Sequence, residues 1–295
     1  VKFVLDGAIL VDDVLKYWGL AGSTVSPISN QHHISTWDIS NQYILKKNHS
    51  IDEFMRSYQI SSLLSTEGIS VPKYIPANDG RMIVEDGLYS LMTKLQGNRV
   101  DLYEKPDIAY GLGMELARLH SALAHIQSQI SSCYDNDLID EWKNYIKPGL
   151  YGGISNEKVE IVEARFYELY PKLPRQLIHR DAHVDNILFT NGQVSGWLDF
   201  DISHRDVRLF DLVYLLSCFQ PKEVTLIGVW RLICNDIISG YNEVQPLSID
   251  ERAALPVLMI VNGLLFVSFW GCQNKPDKRN QAISDVERIY SEWNP

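Results

Sequence analysis

The sequence predicts an α+β protein of two lobes, a small strand-rich one over residues 1–96 and a larger, mainly helical one over 97–295. Three observations predict it. Up to Lys94, short apolar runs are broken by turn residues, as in strands joined by tight connections. Beyond Gly97, apolar residues recur at three- and four-residue spacing, as on helices facing a core. A chain of 295 residues has also reached the length at which single cores divide.

In order, residues 8–20 read as a short amphipathic helix, and 36–40 and 41–47 as strands joined by a turn at Ser40-Asn41. Residues 52–69 suit a helix closed by Gly68. Pro72 opens an extended stretch, and 81–95 read as a hairpin turned at Asp86-Gly87, followed by the loop Gln96-Gly97-Asn98. Leu112, Leu116, Leu119 and Leu123 form the buried stripe of a long helix, and 156–170 suit another. Two apolar runs, 186–189 and 195–200, flank Asn191-Gly192, a strong hairpin signal. Residues 208–219 and two or three further helices complete the chain.

Composition narrows the function classes. Apolar content of 45% and charged content of 22% are ordinary for a globular protein. A net charge of -10 argues against a nucleic acid partner and is compatible with a cationic small substrate. The four cysteines form no CxxC pair, so they are expected to be buried free thiols rather than zinc ligands or disulfides. No uninterrupted apolar run of membrane-spanning length is evident, and the N-terminus turns acidic too soon for a secretory signal. A cytoplasmic location with no membrane partner is the expectation. No GxxxxGK[ST] loop occurs, and "GLGMEL" lies in a helical pattern without the third Gly of a dinucleotide loop, which assigns it to helix packing.

The chemistry concentrates in "LIHRDAHVDNILF" and the "WLDFD" that follows it. Pairing the two apolar runs as a hairpin brings Asn186, before the first, close to Asp199, at the end of the second. An amide oxygen and a carboxylate are hard oxygen ligands suited to Mg²⁺, which takes few protein ligands and leaves positions for water and phosphate. Asp181, five residues before Asn186, is placed to face a hydroxyl nucleophile. Taken singly, each Asp suits a turn or cap; the joint spacing of His179, Asp181, Asn186, Asp199 and Asp211 makes that coincidence a poor account.

H-x-D-x-x-x-x-N followed by strand, turn and strand ending in Asp resembles the catalytic core of the protein-kinase-like phosphotransferases. Within them the chain is most similar to the aminoglycoside phosphotransferase and choline/homoserine kinase family. Supporting pieces follow in order: "YILKK", "EGISVPKYI", "LMTKLQG", "LARLHSAL", "HRDAHVDNIL", "WLDFD" and "RDVRLFDL". There is no Ala-Pro-Glu and no long activation segment after Asp199, which separates the chain from protein kinases.

The resemblance implies a bilobal protein-kinase-like fold and ATP-dependent, Mg²⁺-requiring transfer to a small-molecule hydroxyl. Asp181 would orient that hydroxyl, Asn186 and Asp199 would bind Mg²⁺, and Lys46 would neutralise the α/β-phosphates. Met92, Thr93, Lys94 and Leu95 would form the hinge that pairs with adenine. Asp211 would hold the catalytic loop, with His179 and His183 as braces, and Asp201 and Asp206 are substrate candidates. Where the family has a Glu partner for the lysine, alignment places Gln59, with Glu53 as the alternative. The phosphate-covering loop, within residues 26–37, has no Gly; Ser29 and Asn30 could serve it, while His32-His33 read as exposed loop residues. Trp270 reads as core. Aminoglycoside-type antibiotics, homoserine, choline, other amino alcohols and sugars stay open as acceptors, beside a catalytically silent nucleotide-binding protein.

Overall fold

A computed structural model describes residues 11–28, 35–85, 88–221 and 223–293. The small lobe opens with α1 (Val11–Leu15) and β1 (Val25–Pro27). β2 (Thr36–Ile39) and β3 (Tyr43–Lys47) follow as a hairpin. Ser40 and Asn41 take φ of 52° and 58°, the left-handed pair a tight hairpin turn demands, and Asp38 Oδ1 accepts the Asn41 N–H at 2.7 Å. Ser50 caps α2 (Ile51–Thr66) by accepting the Glu53 N–H, and Gly68 at φ 79° ends it. β4 (Tyr74–Ile75) and β5 (Tyr89–Thr93) complete an antiparallel sheet of order β1-β2-β3-β5-β4. The expected turn at Asp86-Gly87 lies outside the described residues; the arm before it contributes one bridge, Val84 to Tyr89, rather than a strand.

The large lobe contains α3 (Ala109–Ile126), α4 (Leu138–Glu141) and α5 (Asn156–Leu169). β6 (Arg175–Ile178), β7 (Ile187–Thr190), β8 (Gln193–Trp197) and β9 (His204–Val207) form two small antiparallel pairs, β6 with β9 and β7 with β8. Asn191 and Gly192, at φ 52° and 79°, make the β7–β8 turn. The chain then runs through α6 (Leu209–Ser217), α7 (Ile227–Val244), α8 (Ile249–Cys272) and α9 (Pro276–Trp293). The second glycine of "GLGMEL" does serve helix packing: a Cβ on Gly113 would sit 1.9 Å from the Ile237 carbonyl oxygen of α7. By length and composition α8 is apolar enough to cross a membrane, contrary to the expectation from sequence. Here its buried residues, from Glu251 to Ser268, pack among α5, α6 and α9. Among the cysteines only Cys234 is buried; Cys218 and Cys272 are exposed.

Two apolar clusters result. Trp37, Ile39, Leu45 and Leu91 from the sheet close on Val14 and Leu15 of α1. Ile60 and Leu64 of α2, with Val71, bury instead in the larger cluster beside Leu112 and Leu116 of α3. The far end of α2 is therefore anchored to the helical part, which fixes how the sheet sits above it. The connection between lobes is stapled as well. Asn98 and Phe189 exchange backbone hydrogen bonds at 2.9 Å, and Ser195 Oγ donates to the Gln96 carbonyl. Gly97 between them has φ 139°, and a Cβ there would fall 2.4 Å from Ser195 Oγ, so both backbone conformation and space require glycine.

Candidate active site

β6 delivers the chain, buried through Ile178, to a loop whose shape is set by a carboxylate on α6. Asp211, fully buried, accepts the backbone N–H groups of His179 and Arg180 at 2.7 and 2.8 Å. It also accepts the His120 Nε2–H at 3.1 Å, while His120 Nδ1 meets the Tyr241 hydroxyl. Those bonds hold Arg180 at φ 71°, a strained conformation for a side-chain-bearing residue. The Arg180 guanidinium grips both oxygens of Glu141 at 2.9 Å and lies over the Phe210 ring. His179 braces the other side: Nε2 bonds the Leu198 carbonyl at 2.9 Å and the ring packs on Phe200.

With the loop so fixed, Asp181 is held from three directions. The Tyr214 hydroxyl donates to one oxygen at 2.9 Å, Asn186 Nδ2 donates to the other at 2.9 Å, and His183 Nε2 stands 3.5 Å away. His183 Nδ1 accepts the Asp185 N–H, so the proton resides on Nε2 and faces Asp181. Burial opposes charge on Asp181, but His183, His179 and the Tyr214 hydroxyl outweigh it and hold the carboxyl at about 2. Asp181 is thus an anion whose proton-accepting power is restrained, suited to orienting a hydroxyl and taking its proton only as the bond to phosphorus forms.

Asn186 spends its amide nitrogen on Asp181, which leaves Oδ1 as the atom it could offer to a cation. The Leu198 N–H donates to the Asn186 carbonyl at 2.9 Å, bringing the start of β7 beside the residue before Asp199. Asp199 lies just past β8 at φ 65°, a second strained non-glycine residue, with its side chain 44% exposed. From the sheet above, Lys46 on β3 reaches Asp199 Oδ1 at 2.9 Å and Asp201 Oδ2 at 2.6 Å. Burial disfavours the Lys46 ammonium, yet the two carboxylates win and raise its pKa. Asp181, Asn186, Asp199 and Lys46 therefore converge where the two lobes meet.

Residues 24–246 match the phosphotransferase enzyme family, APH. The chain belongs to that family. The phosphotransferase is 25% identical over 249 residues to the homoserine kinase of Methylobacillus flagellatus, covering 82% of this chain and 76% of that one. It is also similar to the solved structure of a microcompartment-associated aminopropanol kinase, at TM-score 0.71 and 18% identity over 95% of this chain and 94% of that one. Amicoumacin kinase in complex with AMP-PNP, Ca²⁺ and Ami gives TM-score 0.71 and 17% identity, over 94% and 92%. The GDP complex of wild-type aminoglycoside 2'-phosphotransferase-IIIa gives 0.68 and 15%, over 91% and 93%. These structural likenesses show the fold, the bilobal protein-kinase-like α+β architecture. Membership makes the protein a small-molecule kinase with an alcohol group as acceptor.

Several assignments from sequence are corrected by the geometry of the phosphotransferase. Gln59 does not pair with Lys46: its amide nitrogen donates to Ser131 Oγ at 3.2 Å and its oxygen accepts from Ser132, because that face of α2 meets the segment after α3. Glu53 does not pair with Lys46 either; its Oε2 is buried without a hydrogen-bond partner. Asp206 is no substrate ligand, being 1% exposed and engaged by the Tyr170 hydroxyl at 2.6 Å and Asn136 Nδ2 at 3.0 Å. Asp201 likewise faces Lys46 rather than an open acceptor site. In the hinge, the N–H groups of Thr93 and Lys94 already bond the Lys73 and Gln42 carbonyls, and Met92 is paired on both strand edges, so Leu95 is the first residue past the sheet bonds. Ser29, Asn30, His32 and His33 lie outside the described residues. Tyr214 was missed, although its position one helical turn after Asp211 sets both on one face of α6.

A divalent cation fits the donor set. Among the described residues no group of three or more His, Cys, Asp and Glu could hold a metal. The amide oxygen of Asn186 with the carboxylate of Asp199 is the mixed hard-oxygen pair that Mg²⁺ accepts when phosphate oxygens and water complete its shell.

The buried carboxylates also set a pH dependence. Burial opposes the charge of Asp206, but the nearby His204 ring, Tyr170, Asn136 and the Val207 N–H together lower its pKa; burial likewise opposes Asp211, whose contacts with His120 and the loop N–H groups prevail. A depressed folded-state pKa gives stability that is complete above the unfolded carboxylate value of about 4 and is lost as pH falls through the folded one. Urea unfolding followed by tryptophan fluorescence is expected to show stability declining below about pH 4, and less steeply in Asp206→Asn.

Proposed function

We propose that the phosphotransferase moves the γ-phosphate of ATP, with Mg²⁺, to the hydroxyl of a small hydroxy amino acid or amino alcohol, homoserine being the first candidate. The observation that carries this reading is the meeting of Asp181, Asn186 and Asp199 beneath Lys46. Asp181 orients the acceptor hydroxyl, with Tyr214 and His183 fixing the carboxylate, and accepts its proton late. Asn186 and Asp199 hold Mg²⁺, which when bound supplies positive charge to the β/γ-phosphate oxygens. Lys46 exchanges Asp199 for nucleotide phosphate. Catalysis of this kind is positioning and charge stabilisation rather than covalent chemistry.

The acceptor reading draws on the surface that leads away from Asp181. Tyr214 faces Phe266 of α8 at 5.6 Å between ring centroids, Phe266 stacks on Trp270 at 6.4 Å, and Lys278 stands 4.2 Å over Trp270. Trp270 is half-buried, not core as its sequence context suggests, and Phe269 beside it is 37% exposed. Aromatic rings ending on a cation suit a compact acceptor with an apolar stem and an anionic group. A polycationic aminoglycoside calls for carboxylates instead. The similarity to homoserine kinase supports the same choice, and that to aminopropanol kinase supports a compact acceptor.

The test is a panel of homoserine, choline, aminopropanol and aminoglycosides with ATP and Mg²⁺, read by mass spectrometry. Gain of one phosphate by homoserine or another amino alcohol is the expected result. Phosphorylation of aminoglycosides alone overturns the acceptor assignment, and nucleotide binding with no turnover of any compound favours the silent reading.

A further inference from the structure

We infer that Asp201 is the carboxylate that positions Lys46 for nucleotide, the part for which α2 supplies no acid; the inference rests on the kinase reading above. Lys46 Nζ lies 2.6 Å from Asp201 Oδ2, with the two side chains only 15% and 13% exposed. A lysine this enclosed needs a fixed counter-charge, because an unpartnered buried ammonium is strongly disfavoured. Four carboxylates or amides are in question, and the geometry separates them. Gln59 is committed to Ser131 and Ser132, and half-buried Glu53 leaves its Oε2 without a hydrogen-bond partner rather than on Lys46. Asp199 touches Lys46 but is 44% exposed and belongs to the metal pair, so the contact is surrendered when a cation is held there. Asp201 remains.

The loop that carries Asp201 is built to stay in place. The Ser203 N–H donates to the Phe200 carbonyl at 3.2 Å, closing a turn around Asp201. From α2, the Arg56 guanidinium donates to the Asp201 carbonyl and lies 5.0 Å above the Tyr134 ring. The helix therefore acts with reversed polarity: it sends a cation to fix the loop that bears the acid, and the acid holds the lysine. Asp201 Oδ1 is buried without a hydrogen-bond partner, so its hold on Lys46 is the one polar contact its side chain makes among the described residues beyond the neighbouring Asp199.

The experiment is a double-mutant cycle on Asp201→Asn and Lys46→Ala, read as ATP and ADP affinity by displacement of a fluorescent nucleotide, with and without Mg²⁺ and without acceptor. Asp201→Asn is expected to weaken nucleotide binding about tenfold, the value of one charge-assisted contact, with no further loss in the Lys46→Ala background. Asp201→Glu is expected to recover most of the affinity and of the KM for ATP. Full additivity of the two substitutions overturns the proposal, as does Asp201→Asn with unchanged affinity. A raised Mg²⁺ requirement with metal-free affinity intact also overturns it, by making Asp201 a metal ligand. A wild-type enzyme that binds no nucleotide sinks the kinase reading itself; binding with additive variants sinks only the role of Asp201.

Discussion

Asp181→Ala is expected to lower kcat by about 10²–10⁴-fold, the range for a positioned acid–base group, while nucleotide affinity stays near wild type. The separation matters because Asp181 touches none of the groups assigned to phosphate. Its contacts are Tyr214, Asn186 and the His183 edge, and Lys46 pairs elsewhere. Alanine also strips an acceptor from Tyr214 and from Asn186, so some drift of Asn186 and a higher Mg²⁺ requirement accompany the loss. Asp181→Asn keeps the shape and removes the charge, and it should lose nearly as much kcat with less effect on Mg²⁺. Steady-state kinetics across Mg²⁺ concentrations, beside nucleotide binding, checks this; a variant with kcat within a few-fold of wild type contradicts the role.

The second large effect concerns stability. Asp211→Ala leaves the N–H groups of His179 and Arg180 and the His120 ring without their shared acceptor in a site of zero exposure. Breaking a buried, fully engaged carboxylate of this kind costs about 3–5 kcal/mol, a large share of the stability of an ordinary domain. The loop is expected to fail before the fold does. Arg180 at φ 71° is kept there by these bonds, so their loss relaxes the backbone that aims Asp181. Chemical unfolding should therefore show a lower midpoint, and hydrogen exchange should show deprotection centred on residues 179–186 rather than over α7 or α8. Protection unchanged in that loop contradicts the account.

What the sequence revealed and what it withheld divide along physical lines. Turn chemistry was readable because it is local: Ser40-Asn41 and Asn191-Gly192 required left-handed φ values that few residues tolerate, and the hairpins followed. The proximity of Asn186 and Asp199 was readable for the same reason, since one hairpin joins them. The partner of Lys46 was not. It depends on the rotation of α2 about its axis, where one residue shifts a side chain by about 100°, and the family resemblance offers Gln59 with Glu53 as the alternative. Asp201 and Asp206 look alike in sequence, two acids close behind the same strand. One sits in a turn facing Lys46, the other inside β9 among Tyr170 and Asn136, and only pairing of β9 with β6 separates them. β9 itself, "HRDV", carries no alternating apolar pattern to announce it. The length and apolar character of α8 meet a compositional test that a core helix and a membrane span both pass.

The central claim is that one amide and one carboxylate, Asn186 and Asp199, hold the metal between Asp181 and Lys46. A crystal structure with a non-hydrolysable ATP analogue and Mn²⁺ in place of Mg²⁺ tests it most directly through the anomalous signal of the metal. The account predicts a peak bonded to Asn186 Oδ1 and the Asp199 carboxylate, with Lys46 released from Asp199 onto phosphate and Asp181 facing the terminal phosphorus. A metal peak away from those two residues, or nucleotide bound with Asp181 turned from its phosphates, contradicts it.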